Sequence, residues 1–384
     1  MGILSAFGLL VFYSPIFLGW LTHDIPPIGD SDLLPSKISI SEQDNGYFEL
    51  IKALANFKSN ETILQNQAAL DHFHAAMQRP AFQDPAFSNP ETISFETRSL
   101  VNLVSIMDLS KLEKLYLLSL TKRGLHHEAI TQSLQLIALG QKIQDSLTNL
   151  LFYVVGNNLK QQGISVIQQI ILSVSIPPES LRGYIQALEP FHANESGLIS
   201  VMKFEYTLFK NLFQKPENTI EQNALIKNDP LFRQIEIGYY FRPNKTLQMK
   251  AKNTRELIKK ISLPCGNVSN TSAPTRTSRL RMYFTENMIG KTMIEMVSLN
   301  LVQHIEKRCE ENWHLAATQS LMAIQAYKLE KGNYPKTLEE LSPTYLPHPP
   351  IDPYDGQPLK YDLEKKIIYS ASQNKNLKYS FAQL

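Results

Sequence analysis

The side chains able to do chemistry fall into a few groups. His72 and His74 are two positions apart, so a helix turns them to different faces and they cannot ligate one metal together. His126, His127 and Glu128 are contiguous, without the one-turn spacing of an H-E-x-x-H site. Exposed or capping roles suit these histidines. Asp352 and Asp355 could offer carboxylate oxygens to a cation, but Pro353 and Gly356 beside them favour turn capping. Gly290-Lys291-Thr292 echoes the tail of a phosphate loop, yet Thr285 stands where its first glycine belongs, so the backbone cradle is missing. No G-x-S-x-G occurs. Cys265 and Cys309 have no metal-site spacing; in an oxidising compartment they could pair. The sequence therefore assigns no catalytic, cofactor-binding or metal-ligating residue.

Two further sets read as surface and core. Lys250, Lys252, Arg255, Lys259, Lys260, Arg276, Arg279 and Arg281 form a basic stretch, read as a solvated face, with anionic lipid or an acidic partner as the sharper alternative. Phe204, Tyr206, Phe209 and Phe213, near Lys203, Lys210 and Lys215, read as core packing rather than a ligand box.

The elements that position these groups are mostly helices. Tyr47, Leu50, Ile51, Leu54 and Phe57 recur at helical spacing. Further helices are predicted over Asn60–Met77, Ile93–Met107, Ser110–Lys122, Leu125–Leu139, Asp145–Leu159, Ile164–Val174, Glu179–Leu188, Leu198–Phe213 and Thr246–Ile261. Gly163 is expected to stop or kink its helix. Thr285–Cys309 and Asn312–Lys331 read as two long helices or one bent helix, and Pro264–Thr277 as a polar loop. Period-two alternation is confined to the end, where Leu359–Asp362 and Ile367–Ser370 predict a β-hairpin. The expected fold is mainly α: a helical bundle or short α-solenoid of antiparallel helix pairs with a small C-terminal hairpin. Gly124-Leu125-His126-His127-Glu128-Ala129-Ile130 resembles the inter-helix turn of a tetratricopeptide repeat, although Leu117 and Glu113 break that pattern.

No charged side chain precedes His23 and Asp24. As a helix, Ile3–Leu21 would span about 28 Å, close to the ~30 Å hydrocarbon core. Trp20 would sit at the interface, although Tyr13 lies deep. The reading is an uncleaved single-pass anchor; a cleaved signal peptide and a buried core helix are the alternatives. The acidic flank of Asp24, Asp30 and Asp32 predicts N-terminus in and bulk outside, which is the periplasm for a Gram-negative source. The sequons at Asn60, Asn194, Asn244, Asn267 and Asn270 would matter only in a eukaryotic secretory route. The expected organisation is 1–24 transmembrane anchor, 25–44 extended linker, 45–310 helical body and 311–384 C-terminal segment.

Composition excludes some classes. With 43% hydrophobic residues and a net charge of +2 in 384 residues, the chain is neither globally disordered nor built for nucleic acid.

The most distinctive stretch is Asn312–Ser370. A helix ends at Gly332-Asn333-Tyr334-Pro335, a short helix covers Thr337–Leu341, and Asp352-Pro353-Tyr354-Asp355-Gly356 precedes strands ending in Tyr369-Ser370. This series resembles the C-terminal region of the major pseudopilin of type II secretion. The resemblance implies the local fold but not that family's calcium site, because 371–376 contains no Asp or Glu. Nor does a hydrophobic stem with a processing site directly precede the helix. With Gly124–Ile130, Phe241–Thr246 and Asn287–Gly290, the whole chain is similar to a group of uncharacterised bacterial, membrane-anchored, mainly helical envelope proteins. That resemblance implies architecture and no activity. The leading expectation is a non-enzymatic, membrane-anchored periplasmic binding or scaffold protein, held in the membrane by residues 3–21 and working with an envelope protein partner. A pseudopilin-related accessory of secretion or pilus machinery, and a hydrolase with a non-contiguous acidic or histidine site, are the alternatives.

Overall fold

The computed structural model describes residues 23–94, 97, 99, 101–192, 195–212, 241–263, 265, 285–372 and 376–384, with only the backbone of 296–302. Ile3–Leu21, Asn194, Phe213, Lys215, Asn267, Asn270, Arg276, Arg279 and Arg281 lie outside the described residues, as does the 266–277 part of the polar loop. Among the described residues no helix is long and apolar enough to cross a membrane.

The described residues form nine α-helices and a small antiparallel sheet. α1 (Gly46–Asn56) starts where the Asn45 side chain accepts the Tyr47 amide, and it buries Tyr47, Leu50 and Ala53. α2 (Gln67–Gln78) is shorter than its apolar pattern predicts. The buried Asn66 side chain accepts from the Lys58 amide and donates to the Lys58, Glu61 and Thr62 carbonyls, which ties 58–66 into a loop instead of a helix.

α3 (Leu103–Lys122) replaces two predicted helices, and Asn102 caps it on the Val104 and Ser105 amides. The preceding residues turn away, with Asn211 donating to the Pro90 and Ile93 carbonyls. α4 (His126–Asp145) and α5 (Leu150–Ser173) form the largest helix–helix interface. Their backbones nearly touch: a Cβ on Gly140 would lie 2.5 Å from the Gly156 carbonyl oxygen, and one on Gly156 would lie 2.6 Å from that of Gly140. Gly163 neither stops nor kinks α5. It faces the Ser133 carbonyl, so its missing side chain serves close packing rather than a break.

α6 (Pro178–Leu188), α7 (Glu195–Leu212) and α8 (Pro243–Ile261) follow. α9 (Met288–Lys331) is a single helix that runs across the expected boundary near residue 310. It packs on α5, α6 and α8, so elements far apart in sequence share one core. Gly332, at φ 79°, stops it, and its amide closes on the Lys328 carbonyl.

The predicted hairpin is present as β1 (Lys360–Asp362) and β2 (Ile367–Tyr369), in register Tyr361 with Ile368. A third strand, β3 (Lys378–Ser380), completes the sheet in the order β1-β2-β3. It stacks Tyr379 on the fully buried Trp313 of α9, with ring centroids 5.1 Å apart. Tyr361 stacks on Phe381 at 5.2 Å. The apolar cluster that includes Tyr47 also includes Phe381, so the C-terminal segment shares the core of the helical body.

The stretch expected to be an extended spacer is docked on the body. Asp24 accepts from the Asn244 and Lys245 amides at 2.6 and 3.1 Å, which caps the N-terminus of α8. Asp30 accepts from the Tyr206 hydroxyl at 2.7 Å and pairs with Lys210 at 2.8 Å. Asp32 receives two bonds from the Arg255 guanidinium, at 2.7 and 2.8 Å. Leu33 is buried against Tyr206 and Ala251. The three carboxylates of the acidic flank are thus each matched to a donor on α7 or α8.

Candidate functional site

A cleft of about 290 Å³ lies where the end of α6, the middle of α9 and the proline-rich 346–353 segment meet. Its apolar wall is Ala316, Leu346, Pro347, Pro350, Ile351 and Pro353. Four of its polar side chains form one chain. His192 Nε2 and the Gln319 side-chain oxygen are 2.9 Å apart, and Gln319 Nε2 donates to Glu189 at 2.8 Å and to the Ile185 carbonyl at 3.1 Å. His348 Nε2 meets the other Glu189 oxygen at 3.1 Å. Gln319 is 4% exposed and both its amide donors are used, which fixes the positions of Glu189 and His192. Glu189 and His348 stand at the mouth, half-exposed and exposed. The lining has a carboxylate, two imidazoles and two amides, and no Ser, Thr or Cys nucleophile.

The cleft rests on a polar core. Lys160 of α5 pairs with Glu311 of α9, and both side chains are fully buried. Lys160 Nζ also donates to Gln141, to Gln144 at 3.2 Å and to the Phe191 carbonyl at 2.7 Å. Glu311 accepts from Gln144 at 2.9 Å and from Asn157 at 2.6 Å. Phe191 directly precedes His192, so the core network holds the backbone that presents the cleft histidine.

The residues singled out in the sequence are scattered. His72 meets Glu49 at 2.9 Å, whereas His74 meets the fully buried Glu113 at 2.8 Å, so the two rings do diverge. His74 is not merely an exposed or capping residue: Glu113 has no other partner and draws it partly inward. Burial opposes the charge on His74, but the Glu113 hydrogen bond and its negative charge hold the imidazole pKa above its ordinary value. His127 bonds the Tyr184 hydroxyl.

Asp352 is fully buried and accepts from the Tyr354 amide, the Ser370 hydroxyl and the Ala371 amide, which ties the Asp-Pro turn to the end of β2. Asp355 caps the Gln357 amide and pairs with Lys360. Among the described residues no three His, Cys, Asp or Glu side chains gather as a metal site. Gly290 faces Thr246 and Asn287 rather than a phosphate cradle. Cys265 and Cys309 are joined as a disulfide with Cα atoms 6.3 Å apart.

The basic stretch is mixed. Lys252 and Lys259 are exposed, but Lys250 is 1% exposed, its Nζ has no hydrogen-bond partner, and it lies 5.5 Å from the Phe209 ring centre. Phe204, Tyr206 and Phe209 are core residues. The cleft residues Glu189, His192, Gln319 and His348 carried no sequence signal, because they are isolated polar residues on elements far apart in the chain.

Compared with protein-family models, with curated proteins and with solved structures, the chain matches none.

Proposed function

We propose that the chain is a membrane-anchored, extracytoplasmic binding module whose site is the cleft between α6, α9 and the 346–353 segment. The observation that carries this reading is the held polar chain His192–Gln319–Glu189–His348 above an apolar wall. A concave site with few convergent polar groups suits a short apolar segment of a partner polypeptide, oriented by a donor that reaches Glu189. The Cys265–Cys309 disulfide supports an oxidising compartment. The uncharged Ile3–Leu21 stretch supports single-pass attachment with the bulk in the periplasm.

The test is a photocrosslinker at Ile351, in the cleft, and at Leu115, exposed on α3 away from it, in intact cells. Adducts are expected at Ile351 alone, and Glu189→Gln with His348→Ala should abolish them. Identical adducts at both positions, or adducts indifferent to the double substitution, would sink the binding reading. Recovery of the untruncated chain in the soluble fraction without detergent would sink the placement.

A second reading, an accessory of secretion or pilus machinery, draws on the sequence resemblance of Asn312–Ser370 to pseudopilins. The long α9 followed by a three-stranded sheet is compatible with it. Co-purification with secretion components would favour it, and their absence from a detergent-solubilised preparation would count against it.

A further inference from the structure

We infer that the joined N-termini of α8 and α9 are the membrane-facing end of the body and rest on anionic phospholipid headgroups. The inference rests on the anchored reading of Ile3–Leu21 and adds an orientation and a lipid class.

The tether comes first. Asp24 follows Leu21 by three positions, and its carboxylate is bound to the Asn244 and Lys245 amides. Asn244 in turn donates to the Ile25 carbonyl at 2.8 Å. Three extended residues reach no more than about 11 Å. The first turn of α8 is therefore held within reach of the layer where the apolar stretch ends.

The second observation is that α9 starts at the same place. The Arg242 amide donates to the Asn287 side chain at 2.8 Å, and that side chain also bonds Thr246 at 3.0 Å. A Cβ on Gly290 would lie 2.0 Å from the Thr246 hydroxyl, so only glycine lets the two helix starts meet. The helices then run parallel, because Arg308 donates to the Ile261 carbonyl at 2.6 Å and Cys265 is tied to Cys309 at their far contact. Both positive helix ends consequently face one way, each equivalent to roughly half a positive charge.

Charge completes the case. Arg242, Lys245 and Lys291 surround this junction, against Glu286 and the capping Asp24. Arg242 is 6% exposed and is turned onto Glu286, whereas Lys245 and Lys291 remain partly exposed. Phosphate oxygens of a headgroup are acceptors that these two ammonium groups fit. The same orientation sets the cleft apart: Asn312 lies about 36 Å along α9 from Met288. That exceeds the ~8 Å physiological screening length several times over, so the cleft would meet a partner in the aqueous compartment.

The test uses the full chain in vesicles whose headgroups carry a chelated paramagnetic ion. Spin labels replace exposed Gln248, on the second turn of α8, or Lys366, in the turn between β1 and β2. In phosphatidylcholine vesicles the label at 248 should relax faster than the label at 366. Phosphatidylglycerol should increase that difference, and added salt or Lys245→Gln with Lys291→Gln should remove the increase. If the chain floats with vesicles but the two labels relax alike, or phosphatidylglycerol changes nothing, the orientation is wrong while the anchor stands. If the chain does not float, the anchored reading falls and takes the orientation with it.

Discussion

Lys160 and Glu311, 151 positions apart, face each other as a fully buried ion pair that joins α5 to α9 beneath the cleft. Every charge in it is met by protein donors or acceptors, which is the condition under which a buried pair is tolerated at all. Removing one partner is much worse than removing both. Lys160→Met should cost about 3–5 kcal/mol by leaving Glu311 buried and uncompensated. Combining it with Glu311→Leu should recover most of that loss. Chemical denaturation of the two single variants and the double variant measures the coupling, and additive losses would show that the pair is not energetically linked.

The disulfide gives a second expectation. Cys265 and Cys309 are separated by 44 positions, and closing a loop of that length restricts the unfolded chain by about 4 kcal/mol. Thermal melts with and without reductant should differ accordingly, and Cys265→Ser with Cys309→Ser should melt like the reduced protein. Equal melting temperatures under the two conditions would mean that the bridge does not form in solution.

How far the sequence goes is clearest at particular residues. Helical periodicity placed α1, α6, α7 and α8 to within a few positions, because their apolar stripes are buried against neighbouring helices. The stop at Gly332 and the Asp352 turn were legible because each is a local backbone requirement. Gly163 misled, since a glycine needed for close helix packing looks the same in sequence as one that ends a helix. The docked acidic flank was invisible for a different reason. Tyr206, Lys210 and Arg255, which bind Asp30 and Asp32, lie more than a hundred positions away. The cleft was hidden likewise, because Glu189, Gln319 and His348 meet only after α9 packs on α6.

The docked flank can be tested by contrasting two of its acids. Asp30 is buried, and burial raises its pKa, but the hydrogen bonds from Lys210 and Tyr206 and the Lys210 charge outweigh that and hold it below 3.8. A depressed carboxylate stabilises the fold above its unfolded value and loses that contribution as pH falls through the folded value. Asp30→Asn should therefore cost about 1–3 kcal/mol at neutral pH, and less below pH ~3.8. Asp32 and Arg255 are exposed, so Asp32→Asn should change stability by less than about 1 kcal/mol. Denaturation midpoints between pH ~2 and ~7 would separate the two. Equal effects would mean that the flank is held by its backbone rather than by Asp30.

Lys250 supplies the opposite sign. Burial beside Phe209 lowers its pKa from 10.5 to about 8, and the charge of Glu205 offsets only part of that. Below about pH 8 the folded protein carries a poorly solvated ammonium, whereas the unfolded chain carries a hydrated one. Between about 8 and 10.5 the unfolded chain binds more protons, so stability should rise with pH across that window. The difference corresponds to about 3 kcal/mol. Lys250→Met keeps the volume and the contact with Phe209, so it should stabilise the protein at neutral pH by about 1–3 kcal/mol. It should also flatten the rise at alkaline pH. The comparison is a set of urea midpoints for both proteins from pH ~7 to ~10.5, the interval that spans the two ionisation ranges. A variant less stable than the parent throughout would show that the ammonium is needed in the fold.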